Sequence, residues 1–247
     1  MEKILIIGAT SAIAEACARK FAIEGKTLFI YGRNIKRLDK IKKDLSVRGA
    51  KNVFSNTFRA ENHLEEAINM IDNAHNKLNG FDTAILAHGI LPDQQDCEKS
   101  NVQTHEVLKI NFLSMVSYLT ALGKYFKEKS AGTIVVFSSV AGDRARRSNY
   151  IYGTSKGALS LFCQGLRNYL DQYGVNVLTI KPGFVDTPMT IKYEKKGLLW
   201  AKPDKIAQDI ITGIIRKKTV VYTPWYWYWI MSLINMIPES IFKRMKL

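Results

Sequence analysis

Short runs of branched and aromatic residues alternate along the chain with longer stretches in which apolar positions recur at helical spacing. The short runs predict strands at 3–7, 27–31, 52–56, 83–87, 133–138, 176–180 and 220–222. The longer stretches, several bounded by Gly, Asn or Pro, predict helices near 12–24, 34–48, 62–78, 103–128, 151–173 and 203–217. Strands that are apolar on both faces and separated by amphipathic helices belong to a parallel sheet covered on both sides. Right-handed crossovers then favour a single α/β domain, a Rossmann-type doubly wound seven-stranded parallel sheet with helices on both faces. Ligands of such sheets bind at the carboxyl ends of the strands, so the residues that follow each strand are the first candidates for function.

Composition narrows the setting. The chain has 247 residues, 47% hydrophobic and 23% charged, as expected of a globular protein. Thirty-six basic against twenty-two acidic side chains give a formal charge of +14, which draws the protein toward anionic partners such as phosphorylated substrates or lipid headgroups. No nucleic-acid motif is present, so nucleic acid is not an expected partner. Cys17, Cys97 and Cys163 are odd in number and lack metal-ligand spacing, which predicts reduced thiols and no metal site. The first residues lack the features of a secretory signal, and a cytoplasmic protein is expected.

The first strand runs into Gly8-Ala9-Thr10-Ser11-Ala12-Ile13-Ala14, a tight turn feeding a helix whose N–H groups could hold a pyrophosphate. Gly8, Thr10, Ser11, Ala12 and Ile13 are the candidate contacts. The second strand ends in Tyr31-Gly32-Arg33-Asn34, with no acid to take the 2′-hydroxyl of NAD. Arg33, with Asn34 beside it, could instead receive a 2′-phosphate; the alternative is a surface arginine at a strand end. Ala87-His88-Gly89 ends the fourth strand and is read as a cofactor-contacting turn, with His88 a turn residue and not a base.

The candidate chemistry is Ser139 at a strand end, Tyr152 thirteen residues later and Lys156 four further on. Tyr and Lys at i and i+4 share one helix face. A free phenol titrates near ~10, and a nearby ammonium is expected to lower that value so that Tyr152 can exchange a proton with a substrate oxygen. Ser139 would hold the same oxygen. A Tyr-x-x-x-Lys pair by itself is commonly only an exposed surface pair.

Together with the strings GATSAIAEA, YGRN, SSVAGDRARRSNYIYGTSKGAL and PGFVDTPM, this constellation resembles the short-chain dehydrogenase/reductase family over roughly residues 3 to 222. The family pattern has glycine at positions 12 and 14, where this chain has alanine, and an adenine-contacting Asp where Arg59 stands. The resemblance implies an NAD(P)-dependent oxidoreductase, with NADP(H) favoured over NAD(H). It adds Asn111 to the catalytic set as holder of a water linking Lys156 to solvent, makes Tyr152 and Lys156 cofactor contacts as well, and places Pro182, Gly183, Val185 and Thr187 against the nicotinamide. It also implies a homodimer or homotetramer packed through 103–128 and 151–173.

Two features remain. The segment between Ser139 and Tyr152 carries Arg144, Arg146 and Arg147, which could grip a substrate phosphate or merely be solvated. Beyond a catalytic unit at 1–222, residues 223–247 form an aromatic tail, uncharged from 223 to 238 and basic near its end. The tail suits a bilayer interface or a dimer contact. Both features resemble one branch of the family, the decaprenylphosphoryl-2-keto-ribose reductases. That likeness implies reduction of a 2-keto sugar on a polyprenyl phosphate carrier at the inner face of the membrane, in cell-envelope polysaccharide synthesis. The alternatives are a reductase of 3-ketoacyl thioesters or hydrophobic ketones, and, in another class, a non-catalytic nucleotide-binding scaffold.

Overall fold

The strands sort their side chains between two layers by simple alternation. In β1 (Lys3–Ile7), Ile4 and Ile6 enter one apolar cluster while Leu5 and Ile7 enter another. β2 (Thr27–Gly32) repeats this with Leu28 and Ile30 against Phe29 and Tyr31, and β5 (Gly132–Phe137) with Val135 and Phe137 against Ile134 and Val136. Both faces are therefore apolar and both must be covered. The computed structural model, which describes residues 1–193 and 197–245, covers them with helices. α1 (Ala12–Ile23), α2 (Ile35–Val47) and α8 (Pro203–Ile215) lie on one side. α3 (His63–Leu78), α6 (Ser114–Lys129) and α7 (Tyr150–Asp171) lie on the other.

With β3 (Asn52–Thr57), β4 (Thr83–Leu86), β6 (Val175–Pro182) and β9 (Val220–Thr223), the sheet has seven parallel strands in the order β3-β2-β1-β4-β5-β6-β9. All seven predicted strands are present, shifted by no more than a residue or two at their ends. The chain reverses its winding between β1 and β4, and the crevice at their carboxyl ends is where a doubly wound sheet holds its ligand.

Three departures from the predicted elements occur around that crevice. The stretch predicted as one helix at 103–128 is divided into α5 (Asn101–Leu108), a π-helical turn at Lys109–Leu113, and α6, and a short α4 (Gln94–Lys99) precedes it. The Ser114 hydroxyl donates to the Ile110 carbonyl at 2.7 Å, and the widened turn carries Asn111 into the fully buried interior. Second, two short strands, β7 (Phe184–Val185) and β8 (Trp200–Ala201), pair beside the crevice. Third, the aromatic tail folds into α9 (Tyr226–Met236) and α10 (Glu239–Phe242), and α9 seats Trp227 and Met231 on Val140 and Phe184. No helix among the described residues is long and apolar enough to cross a membrane, and no group of metal-binding side chains occurs among them. Cys17, Cys97 and Cys163 are all free and buried.

Candidate active site

The turn after β1 is fixed by its backbone. Gly8 has φ +89°, and the N–H groups of Gly8 and Ala9 both donate to the Tyr31 carbonyl at 2.9 Å. A Cβ at position 8 would lie 2.5 Å from the His88 nitrogen, so only glycine lets this turn rest on the end of β4. Thr10, Ser11, Ala12 and Ile13 then line a cavity of about 300 Å³ with Gly8, Ala87, His88 and Gly89. Ser11 is the N-cap of α1 but makes no side-chain cap bond, which leaves the first-turn N–H groups for an anion in the cavity. The two alanines that replace family glycines differ in situation: Ala14 is fully buried in the core, while the Ala12 methyl stands in the cavity wall.

Arg33 lines the same cavity, and so does Arg37, one helical turn on, whose guanidinium lies 3.6 Å from Glu15. Asn34 does not line it; its side chain caps α2 by accepting from the Arg37 N–H at 3.1 Å. Past β3, Phe58, Ala60 and Glu61 form the wall and Arg59 does not. Glu61 Oε2 is buried with no partner among the described residues. Arg37 and Glu61 escaped the sequence reading.

His88 is held neutral. Burial, with the positive charges of Lys156 and Arg33, pushes it down to about 3. Its Nε2 lies 2.8 Å from Ser114 Oγ, whose own proton goes to Ile110, so Nε2 carries the imidazole proton and donates. Nδ1 is thereby an acceptor, buried and without a partner among the described residues, in a residue shared by both cavities of the site.

The second cavity, about 440 Å³, adjoins the first and brings Ser139, Tyr152, Lys156, Pro182, Gly183, Val185 and Thr187 together. Ser139 leaves β5, and its Oγ accepts from the Ala141 N–H at 3.1 Å. Tyr152 and Lys156 stand one turn apart at the start of α7, which Ser138 anchors by donating to the Lys156 carbonyl at 3.0 Å. Lys156 Nζ donates to the Phe137 carbonyl at 2.9 Å. Asn111 lies behind the cavity wall, exchanging bonds of 2.8 Å with both the N–H and the carbonyl of Ile90. Gly89 passes between Asn111 and Lys156: a Cβ there would lie 3.0 Å from Asn111 Oδ1 and 3.5 Å from Lys156 Nζ.

One electrostatic expectation is corrected. Tyr152 is not lowered by its lysine; burial pushes it up to about 12 although a hydrogen bond with Ser139 pulls the other way. Burial likewise pushes Lys156 down to about 8. A low-dielectric pocket penalises both charged forms, and the ammonium is directed at a carbonyl. The phenol is therefore a proton donor at neutral pH. For stability the sign follows from a lysine below its ordinary 10.5: its burial disfavours the fold below about pH 8, and that penalty is relieved as pH rises from about 8 toward 10.5. For activity, carbonyl reduction should hold level through neutrality and fall above about pH 8 as Lys156 loses its proton, with Tyr152 still protonated. A kcat/KM profile that stays flat to pH 10 would refute this.

Of the three arginines expected at the substrate, only Arg146 lines the cavity. Burial lowers its pKa, and no acid among the described residues pairs with it. Arg147 is exposed outside the lining. Arg144 is occupied elsewhere: it donates to the carbonyls of Ile234, Asn235 and Ile237 at 2.8, 3.2 and 2.6 Å and to Glu239 at 3.0 Å, and its guanidinium stacks 3.8 Å from the Phe242 ring. These bonds satisfy the last carbonyls of α9 and pin the tail to the loop that bears the site. Asp143 beside it is buried with Lys181 and accepts from the Tyr222 hydroxyl at 2.8 Å.

A family model described as short chain dehydrogenase matches residues 2–197. The chain belongs to the short-chain dehydrogenase family. An uncharacterised oxidoreductase of Mycobacterium tuberculosis is 31% identical over 242 residues, 98% of this chain and 96% of that protein. One from Streptomyces coelicolor is 31% identical over 245 residues, 98% and 95% of the two chains. The solved structure of levodione reductase superposes with a TM-score of 0.81 at 18% identity, covering 91% of this chain and 96% of that one, which shows the shared fold. This short-chain dehydrogenase is thus an oxidoreductase of a family that uses NAD(P), consistent with carbonyl reduction.

Proposed function

We propose that this short-chain dehydrogenase uses NADPH to reduce the ketone of a phosphate-bearing amphiphile, a 2-keto sugar on a polyprenyl phosphate carrier, in envelope polysaccharide synthesis. The observation that carries the reading is Arg146: a half-buried cation with no acidic partner among the described residues, in the wall of the cavity that holds Ser139 and Tyr152. A guanidinium partly withdrawn from water with no acid beside it is well placed to take a phosphate through bidentate bonds. The rest of that wall is largely apolar, with Ile90, Leu91, Phe184 and Met189, as a lipid-linked or hydrophobic substrate requires.

The residues fit a nicotinamide dinucleotide. The N-terminus of α1, unoccupied by its own cap, would take the pyrophosphate, with Thr10 and Ser11 beside it. Arg33 and Arg37 would pair with a 2′-phosphate, which is why NADP(H) is favoured. Pro182, Gly183, Val185 and Thr187 would wall the nicotinamide, and His88 Nδ1 would accept from a cofactor group. When bound, the cofactor supplies a hydride to the carbonyl carbon. Ser139 holds the carbonyl oxygen, Tyr152 delivers its proton to that oxygen, and the Lys156 charge stabilises the phenolate left behind. Asn111, linked through Ile90 to the turn beside Lys156, keeps that turn in place. Replacing both Arg33 and Arg37 by Ala should weaken NADPH binding about tenfold or more, as loss of charge-assisted phosphate bonds, and leave NADH binding within about twofold. Fluorescence titration with each nucleotide checks this, and an equal loss for both would remove the 2′-phosphate assignment.

The protein would work in the cytoplasm, peripherally at the inner membrane face. It would be a homodimer or homotetramer, supported by exposed Leu113, Leu161 and Tyr169 on or beside the outer faces of α6 and α7. The test is NADPH consumption with a polyprenyl-phosphoryl 2-keto-pentose beside an acetoacetyl thioester, for wild type and Arg146→Leu. Selective use of the lipid-linked sugar, lost in the variant, supports the reading. Preference for the thioester would move the assignment to acyl reduction, which the apolar wall also suits, and no turnover with any ketone would leave the non-catalytic scaffold.

A further inference from the structure

α9 is uncharged and carries large apolar or aromatic side chains on both sides, with Ser232 and Asn235 its only polar aliphatic residues, yet only one side is covered. Trp227 and Met231 face the core, while Trp225, Tyr228, Trp229, Leu233 and Met236 are each at least half exposed on the other. A surface helix ordinarily turns charged and polar residues to solvent on its outer face. A second exposed apolar element abuts it. In the segment from β7 to β8, Ile191 is 76% and Leu198 94% exposed. The Tyr226 hydroxyl donates to the Leu198 carbonyl at 2.8 Å, Trp200 stacks on Phe184 at 5.3 Å and Trp227 meets the same Phe184 ring edge to face at 5.2 Å, so the segment and the helix are joined. Met189 and Tyr193 of this segment are exposed and also line the catalytic cavity. The patch therefore reaches the cavity's mouth.

We propose that α9, with residues 189–193 and 197–199 beside it, forms one docking face for an anionic lipid bilayer, with the catalytic cavity opening beside it. The proposal deepens the lipid-linked substrate reading and rests on it only for what enters the cavity. Two observations favour a bilayer over a second copy of the chain. The face mixes indoles and phenols with aliphatic tips, a composition that sits at the headgroup level with ring bodies buried and polar edges wet. Its fringe is cationic: Lys243 and Arg244 are exposed beyond α9 and Lys202 beside the segment, on a chain of net charge +14. Among the described residues, Glu239 is paired with Arg144 and Asp93 with Lys192. Such a fringe suits lipid phosphates.

The experiment is flotation of the full-length protein with phosphatidylcholine vesicles and with vesicles that also contain phosphatidylglycerol. Wild type should float with the anionic vesicles, less so as salt is raised and least with phosphatidylcholine alone. Leu233→Asp on the helix and Leu198→Asp on the segment should each lower the partition coefficient about tenfold, because an acid replaces an inserted apolar side chain. Both sites are exposed, so both variants should keep the wild-type melting temperature and wild-type turnover of a water-soluble ketone. Wild type remaining at the bottom of the gradient, variants that float as wild type does, or a dimer that the two substitutions split while no vesicle is bound would each overturn the proposal. Flotation without turnover of the polyprenyl substrate would refute the substrate and leave the docking face standing.

Discussion

Tyr152→Phe is expected to lower kcat for ketone reduction about 10³-fold while leaving NADPH affinity within about twofold. The substitution deletes one oxygen. The ring remains on the first turn of α7, packed as before, so the cavity keeps its shape. What disappears is the one proton donor that the site holds in the right state: burial keeps Tyr152 protonated up to about 12, while Lys156, at about 8, gives its hydrogen bond to the Phe137 carbonyl. Ser139 can still hold the substrate oxygen, but its Oγ is already an acceptor for the Ala141 N–H. Single-turnover reduction followed by nicotinamide absorbance measures the effect. A loss below about tenfold would mean that the proton comes from elsewhere, which would displace Tyr152 from its proposed role.

Gly8→Ala should be nearly as damaging by another route, costing about 2–4 kcal/mol of stability and most of the nucleotide affinity. The added methyl cannot be absorbed. It would meet the backbone of Ala87 and His88 at 2.5–2.9 Å, and φ +89° is itself strained for any side chain. The turn cannot shift away, because its two N–H groups are bound to Tyr31. A melting temperature lower by roughly 5–12 °C is expected for a chain of this size. Nucleotide titration should show weakening of about 100-fold, since the clash moves both the α1 turn and the Ala87-His88-Gly89 turn, which pack against each other and line the same cavity. An unchanged melting temperature would show that the turn has slack that the geometry does not suggest.

The strands and their parallel, doubly wound arrangement were legible in the chain because parallel strands buried on both faces read as short continuous apolar runs, and helices with one buried side read at 3.6 spacing. That logic places Gly8, Ser139, Tyr152 and Lys156 at strand ends or on one helix face without reference to any contact. The π-helical turn at Lys109–Leu113 was not legible, since the burial of Asn111 and its bonds to Ile90, twenty-one residues away, depend on packing rather than on neighbours along the chain. Nor was Glu61: the pattern pointed to position 59, and only the path of the chain after β3 puts the carboxylate two residues later into the wall.

By itself, then, the sequence determined the doubly wound sheet, the strand ends that carry chemistry, and the pairing of Tyr152 with Lys156, because periodicity and local turn geometry depend on neighbours along the chain. Only the tertiary structure decided how the three arginines divide. Arg144 meets carbonyls some ninety residues away, Arg147 remains in solvent, and Arg146 is half-buried in the cavity wall. It also reversed the expected direction of the phenol's pKa shift, because a pKa depends on how much water the fold removes from around a group, and no spacing in a sequence encodes that quantity.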